Sequence, residues 1–308
     1  MSPSPPPVQP TLFSLPRDSV VTVGNFDGFH LGHQRIVGRA AAEAAGSGLA
    51  LVILTFSPHP RIHLGHDLHL IQTEAQRRES LQAAAPDYLF VLPFAQVVDL
   101  TAEAFIDEVL AGSLRARRVV VGEDFRFGRG RSGDRDFLAG HAAGIGLEVI
   151  TVAPVTVAGE RVSSSAIRHR LTAGDVAGAA RLLGHPYALD GTVGRGAGRG
   201  RRLGFPTLNL ETENRLLPPG VFFSRTGVAG REYDSLTHIG PAPTFHAGPT
   251  IETHVLDFDR QVYGEPVRIE LLDRLRDVRG FASAAELVAQ LQADVAGVRM
   301  RRGRTAAI

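Results

Sequence analysis

His30 and His33, separated only by Leu31 and Gly32, close the segment V-G-N-F-D-G-F-H-L-G-H, Val23 to His33. A β-branched run precedes this segment and an Ala-rich stretch of helical period follows it, so the pair falls at a strand–turn–helix junction. At such a junction backbone N–H groups and the positive end of a helix dipole face an anion, and a Gly-rich turn lets the main chain approach it. Gly24, Gly28 and Gly32 supply that freedom. Two imidazoles aimed at the same oxygens stabilise the negative charge that builds as an α-phosphate is attacked, with no covalent enzyme intermediate. Outside this context, two histidines near a turn read equally well as packing residues.

A second segment, V-S-S-S-A-I-R, offers Ser163, Ser164, Ser165 and Arg168 at the start of a helix, where hydroxyls, free N–H groups and a guanidinium suit a departing pyrophosphate. Alone it reads as a serine-rich cap with a solvated arginine. Between the two lie L-T-F-S-P-H-P-R (Leu54 to Arg61) and V-G-E-D-F-R-F-G-R-G-R-S-G-D (Val121 to Asp134), each following a predicted strand on one edge of a sheet, where ligand loops gather. Phe125 and Phe127 also read as core residues, and Arg126, Arg129 and Arg131 as a solvated loop.

The C-terminal half carries a Gly/Arg segment, Gly191 to Leu210, that lacks the Gly-Lys-Ser/Thr ending of a P-loop. Its arginines can still fold over a triphosphate, with Thr207 and Asn209 offering oxygens to Mg²⁺. By composition the same segment suits a disordered nucleic-acid-binding tract, a reading that nearby strand signals weaken. Farther on, I-E-T-H-V-L-D-F (Ile251 to Phe258) alternates as a strand does, putting Glu252, His254 and Leu256 on one face. A carboxylate on a partly apolar face is a general-base candidate, although strand carboxylates are commonly surface groups. Asp257, out of alternation with Glu252, is expected on the other face.

Strands at Val20 to Gly24, Leu49 to Phe56, Tyr88 to Leu92, Arg118 to Gly122 and Leu147 to Val152, with helices beginning near Gly32, Thr73, Thr101 and Gly133, predict an α/β, doubly wound, Rossmann-like first domain over residues 16–184. Two short helical segments, Ser163 to Leu171 and Asp175 to Leu183, are expected to close it. From residue 185 to 308 strand signals at Tyr187 to Val193, Val221 to Thr226, Ile251 to Phe258 and Val267 to Leu272 predict a small β-barrel. A capping box, Ser283 to Glu286, then opens a C-terminal helix striped by Leu287, Leu291, Val295 and Val298. Residues 1–15 read as a disordered leader rather than a signal peptide.

The chain has 308 residues, net charge +1 and no cysteine. Near-neutral charge argues against a nucleic-acid or membrane partner, the missing cysteines suit the cytoplasm, and no apolar run is long enough to span a bilayer. Oligomeric state is not legible.

Nearly the whole chain resembles the bacterial bifunctional riboflavin kinase and FMN adenylyltransferase (FAD synthetase) family. In the first half the resemblance rests on Gly24 to His33, Asp124 to Gly128 and Ser163 to Arg168. It implies ATP binding by the turn that contains Gly24, Asn25, Phe26, Asp27 and Gly32, with His30 and His33 catalytic. It places Asp124, Phe125, Arg126, Phe127 and Gly128 near the flavin, and the serine motif on phosphates. Ser165 stands where Thr is usual, Asp124 where some members carry Asn, and Ser57 where an acidic residue is commoner.

In the second half it rests on G-R-x-L-G-F-P-T-x-N with Gly200, Arg201, Gly204, Pro206, Thr207 and Asn209, then L-P-x-G-V, I-G-x-x-P-T-F, E-x-H-x-L-D-F and Y-G. It implies that Glu252 is the kinase base and that Thr207 and Asn209 bind Mg²⁺ and ATP. His238 replaces a usual Asn, Ala242 a usual Arg, and Phe222-Phe223 a usual Tyr-Ala. Riboflavin, FMN and ATP would be substrates, and FMN and FAD products. Another H-x-G-H nucleotidyltransferase is the competing enzyme reading, and an ATP-independent nucleic-acid-binding protein the competing class.

Overall fold

The computed structural model describes residues 8–9, 11, 14–196, 198–240 and 249–305. The chain folds as two compact units, residues 1–163 and 164–308.

The first unit is built on a six-stranded parallel sheet. Its elements, in chain order, are β1 (Val8–Gln9), β2 (Ser19–Val23), α1 (Leu31–Ser47), β3 (Ala50–Ser57), α2 (Glu74–Ala83), β4 (Tyr88–Pro93), β5 (Ala116–Gly122), α3 (Arg135–Ala143) and β6 (Glu148–Val152). A turn of α-helix, Ala102–Ala104, continues as a π-helix, Phe105–Ser113, between β4 and β5. Every residue of β2 is buried, and all of β3 up to Phe56, as expected of strands covered on both faces. Thr73 caps α2 through a reciprocal box with Gln76, and Asp134 caps α3 by accepting from the N–H groups of Asp136 and Phe137.

The strand order is β1-β4-β3-β2-β5-β6. The chain moves outward from β2 through β3 and β4, then returns to β2's other side as β5. The order therefore reverses between β2 and β5, and the crevice at their C-terminal ends is where a doubly wound fold receives its ligand. Val8–Gln9 pairs with Leu89 and Phe90, and Leu15 is buried, which differs from the disordered leader expected over residues 1–15; a sheet edge and a core supply partners that local composition does not reveal. Residues 1–7, 10, 12 and 13 of that leader lie outside the described residues.

The second unit opens with α4 (Ser164–Thr172) and α5 (Val176–Leu183), followed by β7 (Tyr187–Gly194), β8 (Leu208–Thr212), β9 (Gly220–Val228), β10 (Arg231–Gly240), β11 (Thr250–Val255), β12 (Pro266–Arg276) and α6 (Ala284–Thr305). The six strands close a barrel in the order β7-β8-β11-β10-β9-β12. Asp175 caps α5, accepting from Gly178 N–H at 2.8 Å. That helix packs on β7 and β12 and so belongs with the barrel, whereas the sequence pattern put it in the first domain. Its buried Val176, Ala179, Leu182 and Leu183 make an apolar face, and periodicity alone does not say which core receives such a face.

Two strands, β8 and β10, lie outside the predicted set. In β10 the alternation is masked because its residues facing the barrel interior, Ser235 and Thr237, are hydroxylic, whereas β8 begins within the Gly/Arg segment read as a ligand loop. Ser224, Thr226, Ser235, Thr237 and Thr253 are all fully buried and joined by hydroxyl–hydroxyl bonds of 2.7–3.0 Å. On the outer face Leu291, Val295 and Val298 of α6 pack against Val221, Phe223, Leu236 and Leu256. Ser283 accepts from Glu286 N–H, while the Glu286 carboxylate accepts from Ala282 N–H, one residue before the reciprocal bond of an ideal capping box.

Candidate active sites

The turn from β2 to α1 is held by its own sequence. Phe26, Gly28 and Phe29 take positive φ of 51°, 88° and 37°. Phe26 is buried against Val37, Ile53 and Leu89, and this packing offsets its backbone strain. Asp27, also buried, accepts from the N–H groups of Ile71 (2.9 Å) and Gln72 (3.3 Å). Its carboxylate therefore ties the turn to the segment before α2. A Cβ on Gly28 would meet Ile71 at 2.9 Å, so close approach and conformation both call for glycine there. One on Gly32 would meet the His30 ring at 3.1 Å, and the requirement there is space alone.

His30 is the N-cap of α1. Its Nδ1 accepts from His33 N–H at 3.3 Å, which fixes the neutral ring as the Nε2–H tautomer. The two imidazoles stack with centroids 3.6 Å apart and planes 15° apart, and His33 meets the Phe26 edge at 5.3 Å. Burial holds the His33 pKa well below 6.5, and the neighbouring His30 lowers it further. His33 Nδ1 is buried without a hydrogen-bond partner among the described residues, a polar atom of this turn that the protein itself leaves unsatisfied.

The depressed pKa has a pH consequence. The unfolded chain protonates His33 near pH 6.5 and the folded chain resists, so the stability contributed is full above pH 6.5 and is lost as pH falls from there toward the folded value. Relative to a His33→Gln chain, wild type is expected to lose up to about 1.4 kcal/mol of stability per pH unit below 6.5. Urea unfolding from pH 7.5 to 5.5 checks this, and parallel curves for the two chains would refute it.

Across the switch point, β5 ends in the D-F-R-F-G loop. Phe127 is buried and stacks on Phe125 at 5.2 Å, while Arg126 pairs across a two-residue ribbon with Asp134. A Cβ on Gly128 would meet the backbone of Ala102 at 2.9 Å. Exposed Asp124 binds Arg161 at 2.9 Å, an ion pair that Asn at this position would not form. Ser57, at the end of β3, donates to Glu74 at 2.7 Å, so α2 brings a carboxylate to the place where the chain lacks one of its own. Ser163 ends the first unit. Ser164, Ser165 and Arg168 lie in the opening turns of α4 in the second.

In the barrel, register aligns Asn209 on β8 with Glu252 on β11, and Glu252 with His238 on β10. The three lie in one row on the outer face, opposite the buried Thr237 and Thr253. The loop before β8 closes on this row: a Cβ on Gly196 would meet the Asn209 amide at 2.2 Å, and one on Gly200 would meet the Phe205 carbonyl at 2.3 Å and the Thr207 hydroxyl at 3.3 Å. Pro206 carbonyl accepts from His254 Nδ1 at 2.8 Å, so the strand that carries Glu252 also anchors the loop that carries Thr207. Arg201 and Gly204 are exposed on that loop, and Arg195 lies over the Tyr263 ring at 5.5 Å. His238 is half-buried; burial lowers its pKa, Glu252 opposes the shift and Arg276 adds to it.

Strand β11 ends at Val255 and Asp257 sits in a turn with φ 58°, so alternation does not extend to Asp257 as the sequence pattern suggested. Ala242 and the P-T-F of the I-G-x-x-P-T-F pattern fall within 241–248, outside the described residues. Sequence reasoning missed Arg77, whose guanidinium reaches the ends of β2 and β3, and the anchoring bond of His254. The visible signal for His254 was its shared face with Glu252. For Arg77 there was none, since it stands beside Arg78 on a polar helix.

The family model described as FAD synthetase matches residues 13–166, and that described as riboflavin kinase matches residues 183–301. The bifunctional riboflavin kinase/FMN adenylyltransferase of Bacillus subtilis (strain 168) is 36% identical over 290 residues, 90% of each chain. That of Escherichia coli (strain K12) is 34% identical over 291 residues, covering 89% of this chain and 90% of its own. A crystal structure described as a macrolide-efflux protein from Streptococcus pneumoniae matches with a TM-score of 0.85 and 34% identity over 93% of this chain and 95% of that one. Among the described residues no helix is long and apolar enough to cross a membrane. With both family models matched in order and these relatives similar over nine-tenths of their length, the chain belongs to the bifunctional riboflavin kinase/FMN adenylyltransferase family.

Proposed function

We propose that residues 185–308 phosphorylate riboflavin to FMN with ATP and that residues 16–184 adenylylate FMN to FAD with a second ATP, releasing pyrophosphate. The observation that carries the adenylylation site is the stacked His30–His33 pair at the sheet's switch point, with its unpartnered buried Nδ1.

In that reaction an oxygen of the FMN phosphate attacks the α-phosphorus of ATP, and the bond to the β-phosphate breaks with its electron pair leaving on pyrophosphate. Gly24, Asn25, Phe26, Asp27 and Gly32 shape the phosphate-facing turn, and His30 and His33 donate to the oxygens on which charge accumulates. The fixed Nε2–H of His30 and the low pKa of His33 favour neutral donors at physiological pH. The family resemblance assigns Asp124 to Gly128 to the flavin and Ser163, Ser164, Ser165 and Arg168 to the outer phosphates.

In the kinase reaction the terminal ribityl hydroxyl attacks the γ-phosphorus, its proton passes to Glu252, and ADP leaves. Gly200, Arg201, Gly204 and Pro206 form the loop over the triphosphate. Thr207 and Asn209 suit Mg²⁺: a hydroxyl and an amide are hard oxygen donors, two ligands suffice for an ion that keeps waters and phosphate oxygens, and a Cβ on Gly196 or Gly200 would crowd them. Bound there, the ion would neutralise phosphate charge. Residues 16–184 and 185–308 are the proposed functional halves, and the cytoplasm is the proposed compartment, in keeping with the absence of cysteine.

Labelled ATP tests the division of chemistry. Label in the γ-phosphate supplied with riboflavin should enter FMN, and label in the α-phosphate supplied with FMN should enter FAD. γ-Label in pyrophosphate but never in FMN would remove the kinase half of the proposal.

A further inference from the structure

We propose that Arg77 is a positioning residue for adenylyl transfer, its guanidinium locking the C-terminal ends of β2 and β3 together and so fixing the turn that carries His30 and His33. The inference rests on the adenylyltransferase reading of that turn.

Arg77 lies on α2 and is 5% exposed. One terminal nitrogen donates to the Asn25 carbonyl at 3.0 Å and the other to the Phe56 carbonyl at 2.8 Å. Asn25 immediately precedes the positive-φ residue Phe26, and Phe56 lies next to the end of β3. A planar fork with donors on two nitrogens spans two strand ends in a way that a single ammonium does not. The strained turn is thus gripped from both sides: Arg77 holds the carbonyl before Phe26, and the Asp27 carboxylate, bound to the Ile71 and Gln72 N–H groups, holds the residue after it.

The charge itself calls for a reason. A guanidinium this deeply buried is costly unless it is paired, and burial lowers its pKa. The carboxylates that favour its charged form, Glu74 and Asp27, act on it as nearby charges; Glu74 also accepts from Ser57 and Arg78, and Asp27 from the Ile71 and Gln72 N–H groups. What Arg77 touches is carbonyl dipoles. A neutral side chain would serve a purely structural tie at lower desolvation cost. A cation compensated mainly by dipoles leaves positive potential beneath a turn read as binding a polyanion, so the tie and the field serve the same ligand.

The test uses the full chain with Arg77→Met and Arg77→Lys. FAD formation from FMN gives kcat and KM for ATP, FMN formation from riboflavin is the internal control, and thermal midpoints establish that assays run on folded protein. For Arg77→Met the expected result is a loss of about 10 to 100-fold in kcat/KM for FAD formation, with a raised KM for ATP and unchanged FMN formation. Arg77→Lys keeps the charge but not the two-nitrogen bridge and should lie between Met and wild type. A folded Arg77→Met chain that makes FAD as well as wild type overturns the proposal. Should the Met chain not fold, the Lys chain decides: full activity overturns the proposal, and a partial loss confined to FAD formation supports it. A wild-type chain that makes no FAD removes the adenylyltransferase reading and the proposal with it.

Discussion

Replacing Glu252 with Gln is expected to slow FMN formation by roughly 10² to 10⁴-fold, the usual range for losing a general base. The ribityl hydroxyl is a poor nucleophile while protonated, and Gln matches the shape of Glu without its basicity. Glu252 is suited to the role by position. It stands in the outer row between Asn209 and His238, and the loop bearing Thr207 is anchored two residues away by His254. Flavin binding should survive the substitution, so the loss should appear in kcat. FAD formation from supplied FMN should be unchanged, because that chemistry is assigned to residues 16–184. Asp257→Asn serves as a control, since Asp257 is an exposed turn residue whose nearest ion-pair partner is Arg299 at 3.6 Å. Near-normal kinase turnover in Glu252→Gln, or equal losses in both reactions, would rule out this base.

The second large effect is expected at the histidine pair. Alanine at either His30 or His33 should reduce FAD formation from FMN by on the order of 10²-fold or more, about 2.7 kcal/mol of transition-state stabilisation, while FMN formation persists. The stacked geometry adds a further expectation. Each ring orders the other, since His30 Nδ1 accepts from His33 N–H and the ring centroids lie 3.6 Å apart, so the double substitution should cost less than the product of the singles. His30→Ala also removes an N-cap, typically worth about 1 kcal/mol, so thermal midpoints must accompany the rates. FAD synthesis near the wild-type rate in both single variants would place the adenylyl-transfer site elsewhere.

The two halves were unequally legible in the sequence. Strands β2 and β3 could be read because parallel strands buried on both faces appear as unbroken apolar runs, and the caps Thr73 and Asp175 marked their helices. The reversal of strand order between β2 and β5, which brings the H-L-G-H turn and the D-F-R-F-G loop to one crevice, is a property of pairing and leaves no periodic trace. In the barrel, β10 escaped notice because its inward Ser235 and Thr237 find hydroxyl partners only once Ser224, Thr226 and Thr253 are in place. β8 was read only as part of a ligand loop, although Asn209 sits on the strand itself. Family resemblance supplied the role of Glu252, while the barrel's register supplied its neighbours. Arg77 shows the limit most clearly: an arginine in E-A-Q-R-R-E reads as solvated, and its burial follows from where α2 packs.

The most direct measurement is a time course of flavins separated after purified wild-type chain is mixed with riboflavin, ATP and Mg²⁺. Riboflavin should fall, FMN should rise and then decline, and FAD should accumulate, with His30→Ala stopping at FMN and Glu252→Gln leaving riboflavin largely unconverted. Unchanged riboflavin in the wild-type reaction, or FMN that never proceeds to FAD, would contradict a chain that carries both chemistries.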